Sequence, residues 1–202
     1  MHKTTERPVL GTRFDDGLHL AHEWHRTQVR KGKTTPYVAH LLGVCSLVLE
    51  DGGDEDEAIG ALLHDAIEDA ETVEEARRRA ETIRERFGER VLRIVLGLTD
   101  GDPEEKETLS YDDRKARYIA RLWEAPLEVR RVCAADKLYN ARAIVGDLRT
   151  IGDALWERFN AGPEQIVSYD LTVCKTPGAT GTGRLADELE RVVSEMVELS
   201  RR

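Results

Sequence analysis

Apolar positions recur at helical spacing along most of this chain. Leu18, Ala21 and Trp24 follow Phe14 on one face of a first helix, with Asp15 and Asp16 suited to its first turn. A basic turn, Gln28 to Tyr37, is closed by Pro36. His40 then opens an apolar helix, Leu41 to Leu49, which stops at Asp51-Gly52-Gly53. The acidic run Asp54 to Glu57 suits the positive end of the next helix, whose apolar residues Ile59, Ala61, Leu62 and Leu63 lead into His64-Asp65 and Glu68-Asp69. Thr72-Val-Glu-Glu75 resembles a capping box opening a highly charged helix to Phe87, with Gly88 as its stop. Val91 to Leu98 reads as a short apolar helix ending in a turn at Thr99 to Pro103, and residues 103–112 as an exposed loop. Helices are expected over 112–124 and 127–147, parted by Ala125-Pro126, and another over 151–174, broken near Gly162-Pro163.

The remainder is a Gly/Thr/Pro-rich linker, 175–183, and a last helix in which Leu185, Leu189, Val192, Val193, Met196 and Leu199 share a stripe. That helix either docks on the bundle or supplies a homodimer contact. The expected organisation is therefore a leader at 1–13, an all-α bundle over 14–174, the linker, and a C-terminal helix, 184–202, packing on the same domain.

Composition sharpens this reading in two respects. Strand-favouring residues are sparse in a chain of 202 residues with 40% hydrophobic and 34% charged positions, as expected of one helical domain with a real core. The net charge of −9 disfavours broad nucleic-acid binding. Three cations in four positions, Arg30, Lys31 and Lys33, stand out in so acidic a chain and read by themselves as a solvated loop, or as a local basic pocket if other residues point to phosphate. No signal-peptide pattern opens the chain and no apolar run approaches the ~18 residues of a membrane span, so a cytoplasmic protein is expected. The three cysteines contain no CxxC pair, which argues against both a disulfide framework and a thiolate zinc site.

The candidate chemistry sits at His64-Asp65-Ala-Ile-Glu68-Asp69. At ~100° per residue, Glu68 lies about 40° from His64 around a helix, and Asp69 the same from Asp65. Four such groups beside a core face cost desolvation energy unless partnered, which points to the floor of an active site. With His40 and Asp136, the pair His64-Asp65 supplies two imidazoles and two carboxylates, a set suited to manganese, iron or zinc. The bland alternative has His64 capping its helix and Asp136 pairing with an arginine. On the first helix, His22-Glu-Trp-His25 is one residue short of the HExxH spacing, so a zinc protease is excluded and the histidines there read as surface groups.

The order His40, His64-Asp65, Asp136 resembles the H…HD…D pattern of the HD-domain metal-dependent phosphohydrolases. Gln28-Val-Arg-Lys31, Thr35-Pro-Tyr-Val-Ala-His40, Leu98-Thr-Asp100 and Ala135-Asp-Lys-Leu-Tyr-Asn-Ala-Arg142 are similar to the hydrolase domain of RelA/SpoT-type alarmone enzymes and to stand-alone small alarmone hydrolases. The resemblance covers roughly residues 18–150 and implies an HD-domain helical bundle. It further implies one manganese ion on His40, His64, Asp65 and Asp136, with Glu68 and Asp69 handling the attacking water and its protons. Arg30 and Lys31 would border a nucleotide, Arg30 near the base, and Lys137, Asn140 and Arg142 would lie near ribose and phosphates. The implied reaction removes pyrophosphate from the 3′ position of guanosine tetra- or pentaphosphate. Another phosphorylated nucleotide, an adenosine alarmone or the phosphate of NADPH included, is the alternative substrate; a non-catalytic nucleotide-binding module is a third reading. The chain is too short for the synthetase and regulatory domains of the bifunctional enzymes, so hydrolysis alone is implied.

Overall fold

In a computed structural model, residues 9–101, 103–159, 162–175 and 183–201 are described. They form ten α-helices: α1 (Thr12–Trp24), α2 (Val38–Glu50), α3 (Glu55–Leu63), α4 (Val73–Phe87), α5 (Glu89–Leu98), α6 (Pro103–Thr108), α7 (Tyr111–Glu124), α8 (Leu127–Ile151), α9 (Pro163–Lys175) and α10 (Arg184–Leu199), with a 3-10 helix, Gly152–Arg158, after α8. Among the described residues the only β-type pairing is an isolated antiparallel bridge between Val29 and Pro36.

The bundle is built around α3. From Ala58 to Leu63 every residue of this helix is buried, because it is apolar on all sides and can only be covered on all sides. It packs against α1, α2, α5 and α8. Its start is secured by a capping box: Asp54 accepts from the Glu57 amide at 3.0 Å, and the Glu57 carboxylate accepts from the Asp54 amide at 2.9 Å. Arg131 of α8 ties this end down further, donating to Asp51 at 3.1 Å and to the buried Glu57. Gly43 on α2 lets α8 come close: a Cβ there would lie 1.9 Å from the Tyr139 ring. Any side chain at 43 would push Tyr139 off the neighbouring histidine.

Several expectations need correction. The helix of α3 stops at Leu63, and His64 to Asp69 run as turns held by bonds such as Asp69 N–H to the Asp65 carbonyl, 2.9 Å. The segment expected to be a loop at 103–112 contains α6, with Pro103 in its first turn where a missing N–H costs nothing. Thr72 caps α4 by accepting from the Glu75 amide, yet the Glu75 carboxylate reaches the Glu71 amide, so half of the box forms. The first helix begins at Thr12, inside the expected leader, whose residues 1–8 lie outside the described part. The expected linker likewise falls outside it, except at Lys175 and Gly183. Beyond the linker, α10 docks on α8 and α9 through Leu189, Val193 and Met196, all fully buried.

Candidate active site

Three segments converge beside the C-terminal end of α3. The Val29–Pro36 bridge closes the basic turn and delivers Tyr37 and then His40, on the first turn of α2. The end of α3 supplies His64 and Asp65, and the middle of α8 supplies Asp136. His64 is held by its ring: Nδ1 lies 2.8 Å from the Ala61 carbonyl, which can only accept, so Nδ1 carries a proton and Nε2 is the nitrogen that would give a cation its lone pair.

Around that lone pair the donor atoms cluster. His40 Nε2 is 3.3 Å from His64 Nε2, 3.5 Å from Asp65 Oδ2 and 3.3 Å from Asp136 Oδ1. His64 Nε2 is 3.0 Å from Asp65 Oδ2 and 3.7 Å from Asp136 Oδ1. Ligand atoms at about 2.1 Å from one first-row cation stand roughly 3.0–3.4 Å apart, so His40, His64 and Asp65 lie near the spacing such an ion asks for, with Asp136 Oδ1 at 3.3 Å from His40 Nε2 beside them. His40, His64 and Asp136 are buried, and two carboxylates together in such a place demand positive charge. Burial works against ionised His64, but Asp65 and Asp136 outweigh it and hold its pKa well above the usual histidine value. Against the same burial, the imidazoles keep Asp65 well below the carboxylate range, and Lys137 with the imidazoles does so for Asp136.

Asp136 is gripped from both sides. Lys137 Nζ donates to its Oδ2 at 2.9 Å, and Asn140, one turn on, donates to Oδ1 at 2.7 Å. The Asn140 carbonyl in turn accepts from Arg30 at 2.7 Å. Arg30 lies between the Tyr37 and Tyr139 rings, 5.8 and 5.9 Å from their centroids. A polar cavity of about 170 Å³ over the donor cluster shares Tyr37, Lys137 and Asn140 with a larger one of about 340 Å³, which is lined also by Arg30, Lys31, Lys33 and Phe159.

The two acids of the 64–69 segment part company. Glu68 lines the small cavity, accepts from the Asp100 amide at 3.1 Å, and is pushed up to about 7 by burial and by the charges of Asp100 and Asp65. Asp69 is absent from that lining; its Oδ2 accepts from Gln28 at 2.8 Å. Arg142 does not join the site either. Two residues past Asn140 it points ~200° around α8, where it pairs with Glu188 of α10 at 2.5 Å. Sequence reasoning gave no role to Tyr37, Asp100 or Lys115, all of which line the small cavity. Nor did it foresee that His25 is buried, its ring stacked on Tyr37. The signal was there: His25 follows the buried Ala21 by four residues on one helical face.

Several known proteins resemble this chain. A family model described as HD domain matches residues 17–160. The chain is 35% identical over 130 residues to the guanosine-3′,5′-bis(diphosphate) 3′-pyrophosphohydrolase MESH1 of Xenopus tropicalis, covering 63% of this chain and 66% of that protein. It is 34% identical over 177 residues to MESH1 of Mus musculus, covering 86% and 87%. For the frog protein and its Danio rerio counterpart, at 65%, the match thus spans slightly less than two thirds of the relative's length. Among solved structures, a metazoan ortholog of SpoT described as hydrolysing ppGpp superposes with a TM-score of 0.68 at 25% identity, covering 94% of this chain and 96% of that one. The Listeria monocytogenes protein lmo0812 gives a TM-score of 0.66 at 26% identity, covering 81% and 99%. With the matched model spanning residues 17–160, most of the chain, the protein belongs to the HD domain family.

Proposed function

We propose that this protein hydrolyses guanosine 3′,5′-bis(diphosphate), and its pentaphosphate homologue, to GDP or GTP and pyrophosphate, with manganese as the resident cation, in the cytoplasm. What supports this reading is the gathering of His40, His64 and Asp65, with Asp136 Oδ1 3.3 Å from His40 Nε2, in a small cavity that shares Tyr37, Lys137 and Asn140 with a larger one lined by Arg30, Lys31 and Lys33. A cation on His40, His64, Asp65 and Asp136 would lower the pKa of a bound water and offset phosphate charge.

The remaining chemistry belongs to the chain. Water oxygen adds to the phosphorus next to the 3′ oxygen, the P–O3′ bond breaks, and the 3′ oxygen leaves with a proton. Glu68, at about 7, can both take a proton from water and return one at neutral pH. Lys137, beside Asp136 and between the Tyr118 and Tyr169 rings, supplies positive charge next to the scissile group. Arg30 offers a flat guanidinium for a base, and Asn140 couples that cation to Asp136.

Incubating the protein with Mn²⁺ and guanosine tetraphosphate should release pyrophosphate and GDP, identified by mass. No turnover, alongside turnover of an adenosine alarmone or NADPH, would overturn the substrate. Within the same assay Arg30→Ala should raise KM about tenfold, the equivalent of ~1.4 kcal/mol of lost contact. Arg142→Ala, which removes only an exposed pair with Glu188, should leave KM where it was. Equal effects of the two variants would contradict the orientation of α8.

A further inference from the structure

A closed ring of contacts stands behind the cation site. Tyr37 donates its hydroxyl to Asp65 Oδ2 at 2.6 Å, and this is the oxygen that faces both imidazoles. The Tyr37 ring stacks on His25, with centroids 5.2 Å apart and planes 26° from parallel. His25 Nδ1 lies 2.5 Å from Gln28 Oε1, and Gln28 Nε2 lies 2.8 Å from Asp69 Oδ2. The Asp69 amide donates back to the Asp65 carbonyl at 2.9 Å, which closes the ring on the residue where it began.

The logic of donors around this ring runs one way. A carboxylate only accepts, so Asp69 forces the Gln28 amide nitrogen towards itself and leaves Oε1 facing His25. An amide oxygen only accepts, so His25 must carry its proton on Nδ1. That settles both the tautomer and the ring plane against which Tyr37 lies. The backbone repeats the link, since the Tyr37 amide donates to the Gln28 carbonyl at 2.9 Å beside the Val29–Pro36 bridge.

We propose that Gln28, acting through His25 and Tyr37, is a positioning residue that aims the metal-facing oxygen of Asp65, and that Asp69 serves as the anchor of Gln28. The proposal deepens the functional reading above, because it rests on the same four donors. It also explains the parting of the two acids: Glu68 faces the cavity and Asp69 faces the support behind it.

The test exchanges the two polar ends of the Gln28–Asp69 pair. Gln28→Glu alone sets two carboxylates against each other and should weaken Mn²⁺ binding about 10–100-fold, the usual cost of losing outer support of a metal ligand. The double variant Gln28→Glu with Asp69→Asn restores the same sequence of donors and acceptors, because the new amide donates to the new carboxylate while His25 still donates to its other oxygen. It should recover most of the lost affinity. Binding is read by calorimetry without nucleotide, and the visible spectrum of the Co²⁺ form reports whether coordination geometry changes in Gln28→Glu and returns in the double variant. KM at saturating Mn²⁺ should stay constant, since Gln28 lines neither cavity of the site. Parent-like affinity in Gln28→Glu, or a double variant no tighter than the single one, overturns the proposal. If Gln28→Glu fails to fold, Tyr37→Phe deletes only the hydroxyl and must itself weaken Mn²⁺ about tenfold, or the proposal falls. A parent that binds Mn²⁺ yet leaves guanosine tetraphosphate intact removes the substrate reading while these affinities still decide the ring. A parent that binds no divalent cation removes both.

Discussion

His64→Ala is expected to abolish the cation-induced rise in melting temperature and to lower turnover by about a thousandfold or more. The unmodified protein at a cation concentration near 100 Kd should gain about 2.7 kcal/mol, from binding that only the folded chain can offer. For a chain of this length, ~1 kcal/mol moves Tm by roughly 2–4 °C, so the rise should be about 5–11 °C. His64 Nε2 is within 3.0 Å of Asp65 Oδ2 and 3.3 Å of His40 Nε2, and among the described residues no other side chain is placed to take over its lone pair. Without it, three donors surround a position that opens towards the cavity. The loss of turnover follows from the lost activation of water, whose pKa would return towards ~15.7. Differential scanning fluorimetry with and without Mn²⁺ reads the first effect and pyrophosphate release the second. Asp136→Asn is the companion variant, since it keeps the shape and removes one charge. A parent-like rise in Tm for His64→Ala would mean that the cation binds elsewhere.

The site was legible in the sequence to the extent that burial and chemistry coincide. His64 and Asp65 follow a run that is apolar on all sides, and Asp136 sits among Val132, Cys133, Ala134 and Ala135, so each stood out as a polar group inside core. Helical periodicity also located most of the bundle, because α5, α7 and α10 each carry a well-defined apolar stripe. What could not be read is where backbone geometry departs from its local preference. Nothing between Leu63 and Asp69 is a helix breaker, yet α3 ends there. The His64 ring and the Asp65 carboxylate are drawn instead towards partners on α2 and α8, long-range contacts that no local pattern encodes. That departure separates Glu68 from Asp69, which an unbroken helix would have kept on one flank. Arg142 is a different kind of miss. The ~100° step already placed it away from Asp136 and Asn140, and the family resemblance obscured that simple geometric exclusion.

Glu68→Gln should produce two opposite effects in one variant: a loss in kcat of about 10²–10⁴ and a gain in stability of the metal-free protein at alkaline pH. Burial, with the charges of Asp100 and Asp65, raises this carboxyl from 4.5 to about 7 in the folded chain, a displacement worth up to about 3 kcal/mol. Between those two values the folded state still holds the proton that the unfolded chain has already released. Stability therefore falls as pH rises through the window from 4.5 to about 7, and the full cost is present at pH 8. Glutamine does not titrate, so the variant should lack this slope and melt several degrees above the parent at pH 8 in chelator, with little difference at pH 4.5. Its cation-induced rise in Tm should persist, because Glu68 is not one of the four donors. Urea unfolding at both pH values measures the first effect and steady-state kinetics at saturating Mn²⁺ the second. A Glu68→Gln variant that keeps parental kcat would remove Glu68 from the proton transfer. One that is less stable than the parent at pH 8 would show that Lys106, at 3.7 Å, and the Asp100 amide hold the ionised carboxylate better than its burial opposes it.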